Sequence, residues 1–463
     1  MKAIRFLIAL VISLPSIVFA QDIVGDWEGN LMVQGQKLPL VIHIKKNGQA
    51  YSTTLDSPMQ GAKGIPVSST SYVEGKLQLD MASMGAKYTG NYVQDRIEGI
   101  FEQAGMKFPL TFERQLEEVI IERPQTPKPP FPYSVKEVVF SSKEEGIKLA
   151  GTLNIPDDCD GCPAVILISG SGPQNRNSEI FNHQPFWVLA DHLAKSKIAV
   201  LRFDDRGVGS SQGNFQKAVT QNFANDVRGA ISFLKTQAKV DSNKVGLLGH
   251  SEGSTVAAMV AADTDVAFLV SLAGPGLPGH QILLKQQKDE VAGASLSDQQ
   301  EKDLNRFLEG QMDLLKSQLS NEELKGSLKK YYKKNFKLLP AATREIGLEK
   351  FTLLQTQNLS SPWLKGFISI DPYFYFNRVN CPVLALNGEK DTQVEAESNL
   401  TRIAEALKEA GNEQVETMAL PELNHLFQPS NTGALMEYGS IETTFDQDAL
   451  NRISSWIVKI MYE

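Results

Sequence analysis

The chain has 463 residues, 42% hydrophobic and 22% charged, an ordinary globular composition long enough to bury a large core and hold more than one domain. A formal net charge of −8 at pH 7, with a pI near 5.5, gives no general attraction to nucleic acid or an anionic membrane, and no basic stripe marks a polyanion partner.

At the start, Lys2 and Arg5 precede the apolar run Phe6 to Val18, and Val18-Phe-Ala20 ends on the small residue a signal peptidase needs. Residues 1–20 are read as a cleaved secretory signal, which places the protein in the periplasm or outside the cell. The run is about 14 residues, short of the roughly 20 that span a bilayer. No cysteine lies near the cleavage site, so no stable membrane anchor is expected.

Residues 21–114 read as a separate β-rich domain, a small all-β barrel or sandwich. Leu38 to Ile44, Lys76 to Met81, Tyr88 to Val93, Arg96 to Phe101 and Met106 to Phe112 are short runs, several of them alternating, split by turn signals such as Lys46-Asn-Gly48 and Glu74-Gly75. His43 and Trp27 are assigned structural places there. Residues 115–134 form a linker in which Pro124, Pro127, Pro129, Pro130 and Pro132 favour an extended path.

From 135 to 463 the pattern changes to two antiparallel strands, Val135 to Phe140 and Ile147 to Ile155, then apolar runs alternating with helices. Strands are expected at Ala164–Ile168, Ile198–Phe203, Val245–Leu248, Ala267–Leu272, Val383–Asn387 and Gln414–Leu420, with helices between them at Pro185–Lys195, Gln221–Gln237, Ser251–Ala262, Glu395–Glu409 and, last, Gln447–Met461. That rhythm means a mostly parallel sheet covered on both faces. Cys159 and Cys162 lie in a loop broken by Gly161 and Pro163, not at a helix start, so a local disulfide or two free thiols is expected and not a redox pair. No second Cys/His pair stands at ligand spacing, so no metal or other cofactor is expected. Cys381 reads as an apolar filler.

Residues 279–378 break the alternation. Ser297-Asp-Gln-Gln300 and Ser320-Asn-Glu-Glu323 have capping-box form, and Leu304, Phe307, Leu308, Met312 and Leu315 make an apolar stripe. This is expected to be a helical cap between two core strands. The six lysines from Lys325 to Lys337 are read as its solvated face.

Gly249-His-Ser-Glu-Gly253 lies where an apolar strand meets an Ala-rich helix. A serine in such a turn presents its hydroxyl on a strained backbone, and the flanking glycines let strand and helix approach. Ser251 is therefore the candidate nucleophile. It needs a base and an acid to orient that base. Of six histidines, His425 follows the Gln414–Leu420 strand, where the base falls in the order Ser, acid, His. His250 is expected to face away from Ser251, while His183 and His192 read as packing or surface residues; His280 opens the cap. Asp391, in the loop after Val383–Asn387, is the acid, with Glu389 its competitor. Two backbone N–H groups would hold an oxyanion: that of Glu252, at a helix N-terminus, and that of Ser171, in Ser169-Gly-Ser-Gly-Pro173.

On these residues, with Arg202-Phe-Asp-Asp-Arg-Gly-Val-Gly-Ser210, Gly388 to Val394 and Asn424-His425, residues 135–463 resemble the α/β-hydrolase fold. Within it they are similar to secreted serine esterases near the serine aminopeptidase and dienelactone hydrolase groups. The resemblance implies Ser251, Asp391 and His425 as a triad, the Ser171 and Glu252 amides as the oxyanion hole, and Asp204, Asp205 and Arg206 as loop scaffolding. Ser169 stands where that family often has histidine, and Asn175-Arg-Asn177 where it often has Asp-Arg-Asp. The activity expected is carboxylester hydrolysis of a small-molecule ester, the alternatives being a serine peptidase on short peptides or a binding protein with a vestigial site.

Overall fold

The computed structural model describes residues 23–33, 36–48, 50–58, 62–103, 106–115, 123–143, 146–292, 296–317, 319–359 and 361–462. The secretory signal read at residues 1–20 lies outside them, as does the linker between 116 and 122. The chain divides into two compact units, one made of most of residues 1–118 and one centred on residues 119–463.

The first unit is one nine-stranded sheet bent into a half-barrel. Its strands are β1 (Gly25–Val33), β2 (Gln36–Asn47), β3 (Ala50–Ser57), β4 (Ala62–Pro66), β5 (Ser69–Val73), β6 (Lys76–Met81), β7 (Ala86–Val93), β8 (Arg96–Gln103) and β9 (Met106–Arg114), in the order β4-β3-β2-β1-β9-β8-β7-β6-β5. Alternate residues fill the concave side: Leu77, Leu79 and Met81 on β6, Tyr88 on β7, Ile97 and Phe101 on β8. This is the period of two that a one-sided sheet requires. Trp27 is wholly buried, donates its indole N–H to the Ile23 carbonyl at 2.8 Å and lies under the Arg114 guanidinium at 4.4 Å, a core role. His43 bridges Asp26 and Asp56.

The second unit carries an eight-stranded sheet: β10 (Tyr133–Ser141), β11 (Lys148–Pro156), β12 (Cys162–Ile168), β13 (Ala199–Phe203), β14 (Val240–His250), β15 (Leu269–Leu272), β16 (Val383–Gly388) and β17 (Val415–Leu420). Its order is β10-β11-β13-β12-β14-β15-β16-β17. β10 and β11 join antiparallel, and every pairing from β13 to β17 is parallel. Neighbouring residues of β12 face opposite sides. Ala164, Ile166 and Ile168 belong to the core layer shared with α2 (Thr220–Leu234), α3 (Glu252–Ala261) and α11 (Ala396–Glu409), and Val165 and Leu167 to the layer shared with α1 (Pro185–Lys195) and α12 (Gln447–Tyr462). Each fully buried aliphatic side chain contributes about 1.5–3 kcal/mol, so these two layers are the main source of the unit's stability.

Between β15 and β16 the described residues form seven α-helices: α4 (Gly279–Ala292), α5 (Asp298–Leu315), α6 (Asn321–Asn335), α7 (Ala341–Glu345), α8 (Leu348–Leu359), α9 (Pro362–Ser369) and α10 (Tyr373–Phe376). Both capping boxes form at the starts of α5 and α6. The cap has its own core around Phe307, Leu328, Tyr332 and Phe351. Cys159 and Cys162 are disulfide-bonded. The half-buried Cys381 packs against the sheet core, and burial pushes its thiol up to about 12. No helix among the described residues is long and apolar enough to cross a membrane.

Candidate active site

Ser251 stands between β14 and α3 with φ 55° and ψ −126°. A side chain at positive φ costs about 1–3 kcal/mol and persists only where its surroundings enforce it. Here the Ser251 N–H donates to the Leu272 carbonyl at 2.9 Å. A Cβ on Gly249 would lie 2.1 Å from the Gly253 carbonyl oxygen, and one on Gly253 2.2 Å from that of Ile168. The two glycines therefore let the helix close over both strands and hold the turn shut.

Beyond β17, the Asn424 side chain organises a tight loop by accepting the N–H groups of Leu426 at 2.9 Å and Gln428 at 3.0 Å. Between them His425 donates Nδ1–H to Asp391 Oδ2 at 2.7 Å, and both residues are buried. The other Asp391 oxygen accepts the N–H groups of Gln393 at 2.8 Å and Val394 at 2.9 Å. In the neutral tautomer that donates Nδ1–H to the carboxylate, the lone pair is on Nε2. Glu389 is exposed on the same loop.

His250 differs from expectation. Strand alternation aims it away from Ser251, yet its ring lines the same cleft, 4.8 Å from the His425 ring, because the turn at Ser251 interrupts the alternation. Its Nε2–H donates to the His425 carbonyl at 2.9 Å. Burial, reinforced by His425, pushes its pKa down to about 3, so it is a neutral strut.

The loop after β12 is fixed from below by β13's successor loop. Asp205 accepts Ser169 Oγ–H at 2.7 Å and the Gln174 N–H at 2.9 Å. Burial, against those hydrogen bonds, raises its carboxyl to about 7, with the charges of Asp226 and Glu252 adding to the rise. Asp204 accepts the Arg176 N–H at 2.9 Å and its guanidinium Nη2–H at 2.8 Å. Arg206 pairs with Asp226 at 2.8 Å. These three residues hold backbone in place and do not face the cleft. Gly170 is the point of closest approach: a Cβ there would stand 3.0 Å from Ser251 Cβ.

The Glu252 side chain holds a place the sequence did not suggest beyond a carboxylate suited to a helix start. It is 3% exposed. Its carboxylate accepts Thr220 Oγ1–H at 2.8 Å, Ser171 Oγ–H at 2.9 Å and the Trp363 indole N–H at 2.9 and 3.1 Å to its two oxygens. Burial raises its pKa against these hydrogen bonds.

Ser251, His425, Ser171 and Glu252 all line one cleft of about 210 Å³. Ile282, Leu283, Trp363 and Phe367 of the cap supply an apolar wall, with Leu426 and Leu435 opposite. Gln286 of α4 ties the cap to the Asp391 loop by donating to the Gln393 carbonyl at 2.9 Å. The remaining histidines lie elsewhere: His183 is buried against Thr444 and the Tyr438 carbonyl with its pKa pushed down to about 4, and His192 bonds Ser454. His280 begins the cap, its pKa lowered by partial burial. Among the described residues no cluster of three or more His, Cys, Asp or Glu side chains is placed to hold a metal ion.

Esterase EstD of Thermotoga maritima is 24% identical over 315 residues, 67% of this chain and 66% of that relative, so the chain spans just under two-thirds of the relative's length. Among solved structures, the Pyrococcus furiosus esterase Pf2001 is 18% identical, with a TM-score of 0.43 over 72% of this chain and 92% of that one. Est1E of Butyrivibrio proteoclasticus is 13% identical, with a TM-score of 0.41 over 71% and 99%. The family described as alpha/beta hydrolase fold matches residues 163–432, a span that runs from the strand before Ser171 past His425. By that match, over more than half its length, the chain belongs to the α/β-hydrolase family.

Proposed function

We propose that the protein is a serine carboxylesterase acting on uncharged small to medium acyl esters. The observation that carries this reading is the buried His425–Asp391 pair, 2.7 Å apart, opening with the strained Ser251 turn onto one cleft. Ser251 Oγ attacks the acyl carbon while His425 Nε2 takes its proton. Asp391 fixes the tautomer and stabilises the imidazolium. The negative oxygen of the tetrahedral intermediate is received by the N–H groups of Glu252 and Ser171. Collapse expels the alcohol, protonated by His425, and leaves an acyl-serine; water, activated by the same histidine, releases the acid and restores the serine. The relative named as an esterase supports the ester class.

A serine peptidase would use the same groups but needs an anchor for a charged peptide terminus. The one carboxylate on the described cleft wall, Glu252, is already engaged by three donors. The apolar cap wall suits an acyl chain instead. Export is the companion proposal, supported by the Cys159–Cys162 disulfide, a bond kept in oxidising compartments.

The test is hydrolysis of a p-nitrophenyl ester ladder, C2 to C12, beside aminoacyl and dipeptidyl p-nitroanilides, by the protein and by Ser251→Ala. Ester turnover that vanishes in the variant, without anilide cleavage, is expected. Anilide cleavage would move the chain to the peptidases, and full turnover by folded Ser251→Ala would sink the mechanism.

A further inference from the structure

Glu252 follows Ser251 directly and is the first residue of α3, so its backbone is tied to the nucleophile's turn. Its carboxylate has no cation among the hydrogen-bond partners found for it. The three donors come from the loop after β12 (Ser171), the start of α2 (Thr220) and the cap helix α9 (Trp363). A carboxylate so enclosed is kept only where its hydrogen bonds offset the loss of water. The Trp363 N–H is shared between both oxygens, which fixes the plane of the carboxylate as well as its distance. Ser171 adds a second constraint: its hydroxyl is held by Glu252, and the glycine before it sits against Ser251.

We propose that Glu252 is a positioning residue that holds the Ser171 loop and cap helix α9 in one fixed relation to Ser251, so that a seated cap sets the geometry in which the Ser171 N–H meets the oxyanion. This deepens, and rests on, the serine-esterase reading. The chemistry itself is untouched: the Glu252 side chain exchanges no proton with substrate and acts through Ser171 and Trp363, apart from the backbone N–H of the same residue. The consequence is that loss of a side-chain contact outside the triad slows the chemical step while leaving ground-state binding of a short ester nearly unchanged.

Ser171→Ala keeps the backbone N–H and removes only the tethering hydroxyl. On p-nitrophenyl acetate its kcat per folded molecule is expected to fall about ten- to hundredfold, with KM within about threefold, because a small misplacement of a catalytic group has that effect. Glu252→Gln should fall in the same direction. The double variant should be no slower than the slower single one, because both changes break one tether. Wild-type kcat in Ser171→Ala, or effects that multiply in the double variant, would overturn the proposal. A second measurement needs no substrate. The Trp363 indole N–H resonance, identified by its loss in Trp363→Phe, should stand downfield and move upfield in Glu252→Gln as the charged acceptor is lost. An unmoved resonance overturns the tether. A moved resonance in a protein that cleaves no ester would sink the esterase reading while the tether stands.

Discussion

The carboxyl edge of the parallel sheet and the cap above it hold their residues in different ways. At the sheet edge, Ser251 and Asp391 are fixed by backbone, through the Leu272 carbonyl and two N–H groups, and the Asn424 side chain shapes the turn that presents His425. The cap is held over them by side chains, through Trp363 to Glu252 and Gln286 to the Gln393 carbonyl. Backbone anchors survive most substitutions, whereas side-chain anchors are lost with one. On the proposed reading, the contrast separates the groups that carry out the reaction from those that set the cap over them.

Perturbations should rank accordingly. Ser251→Ala removes the proposed nucleophile and should lower kcat by on the order of 10⁶ with Tm unchanged, read by ester hydrolysis and calorimetry. Asp391→Asn leaves His425 without its orienting anion and should lower kcat by roughly 10⁴. Gly249→Ala forces a methyl into the Gly253 carbonyl 2.1 Å away and should destabilise the fold by about 3 kcal/mol, seen as a lower denaturation midpoint. Glu437, in the loop after His425, tests the same edge by pH. Against the cost of burial, hydrogen bonds from Ser430, Asn431 and Thr432 hold its pKa down to about 2. A folded pKa below the unfolded one contributes stability that is full above about 4.5 and lost as pH falls toward 2. Glu437→Gln should therefore flatten the acid limb of the stability curve over that window; an unchanged limb would remove Glu437 from the account. At the far side of the cap, Leu353 is 56% exposed, and Leu353→Ala should change stability by less than about 0.5 kcal/mol and leave short-ester kcat as it was.

Much of the sheet edge was legible because its signals are local. The turn at Ser251 needs glycines two residues away, and Asp391 and His425 each follow an apolar strand directly. Glu252 was not legible in the same way: its partners lie 32, 81 and 111 residues away in the chain, and a carboxylate at a helix start already has a local explanation. His250 was aimed wrongly because strand alternation was carried one residue into a turn with positive φ. In the first unit, alternation found β2 and β6 to β9 but not β1, β3, β4 or β5. Strand β1 contains Gly25, Asp26, Gly29 and Asn30, and β3 is rich in Ser, Thr and Asp, residues whose strand conformation comes from pairing with neighbours and not from their own preference.

Arg123 to Gln125 lie in the stretch whose prolines predict an extended linker, and side chains of this stretch are bonded into the second unit. Arg123 donates to the carbonyls of Ile441 at 2.6 Å, Phe181 at 2.7 Å and Gly439 at 2.9 Å, and Gln125 accepts the N–H groups of Thr444 and Phe445. The residues it clasps adjoin Tyr438, which accepts a hydrogen bond from Gln393 beside Asp391. A hydrolase fragment cut at the first strand, residue 133, would leave those carbonyls and amides open to water and slacken the segment that backs the acid loop. The second unit thus takes in the chain from Arg123 onward, ten residues ahead of its first strand.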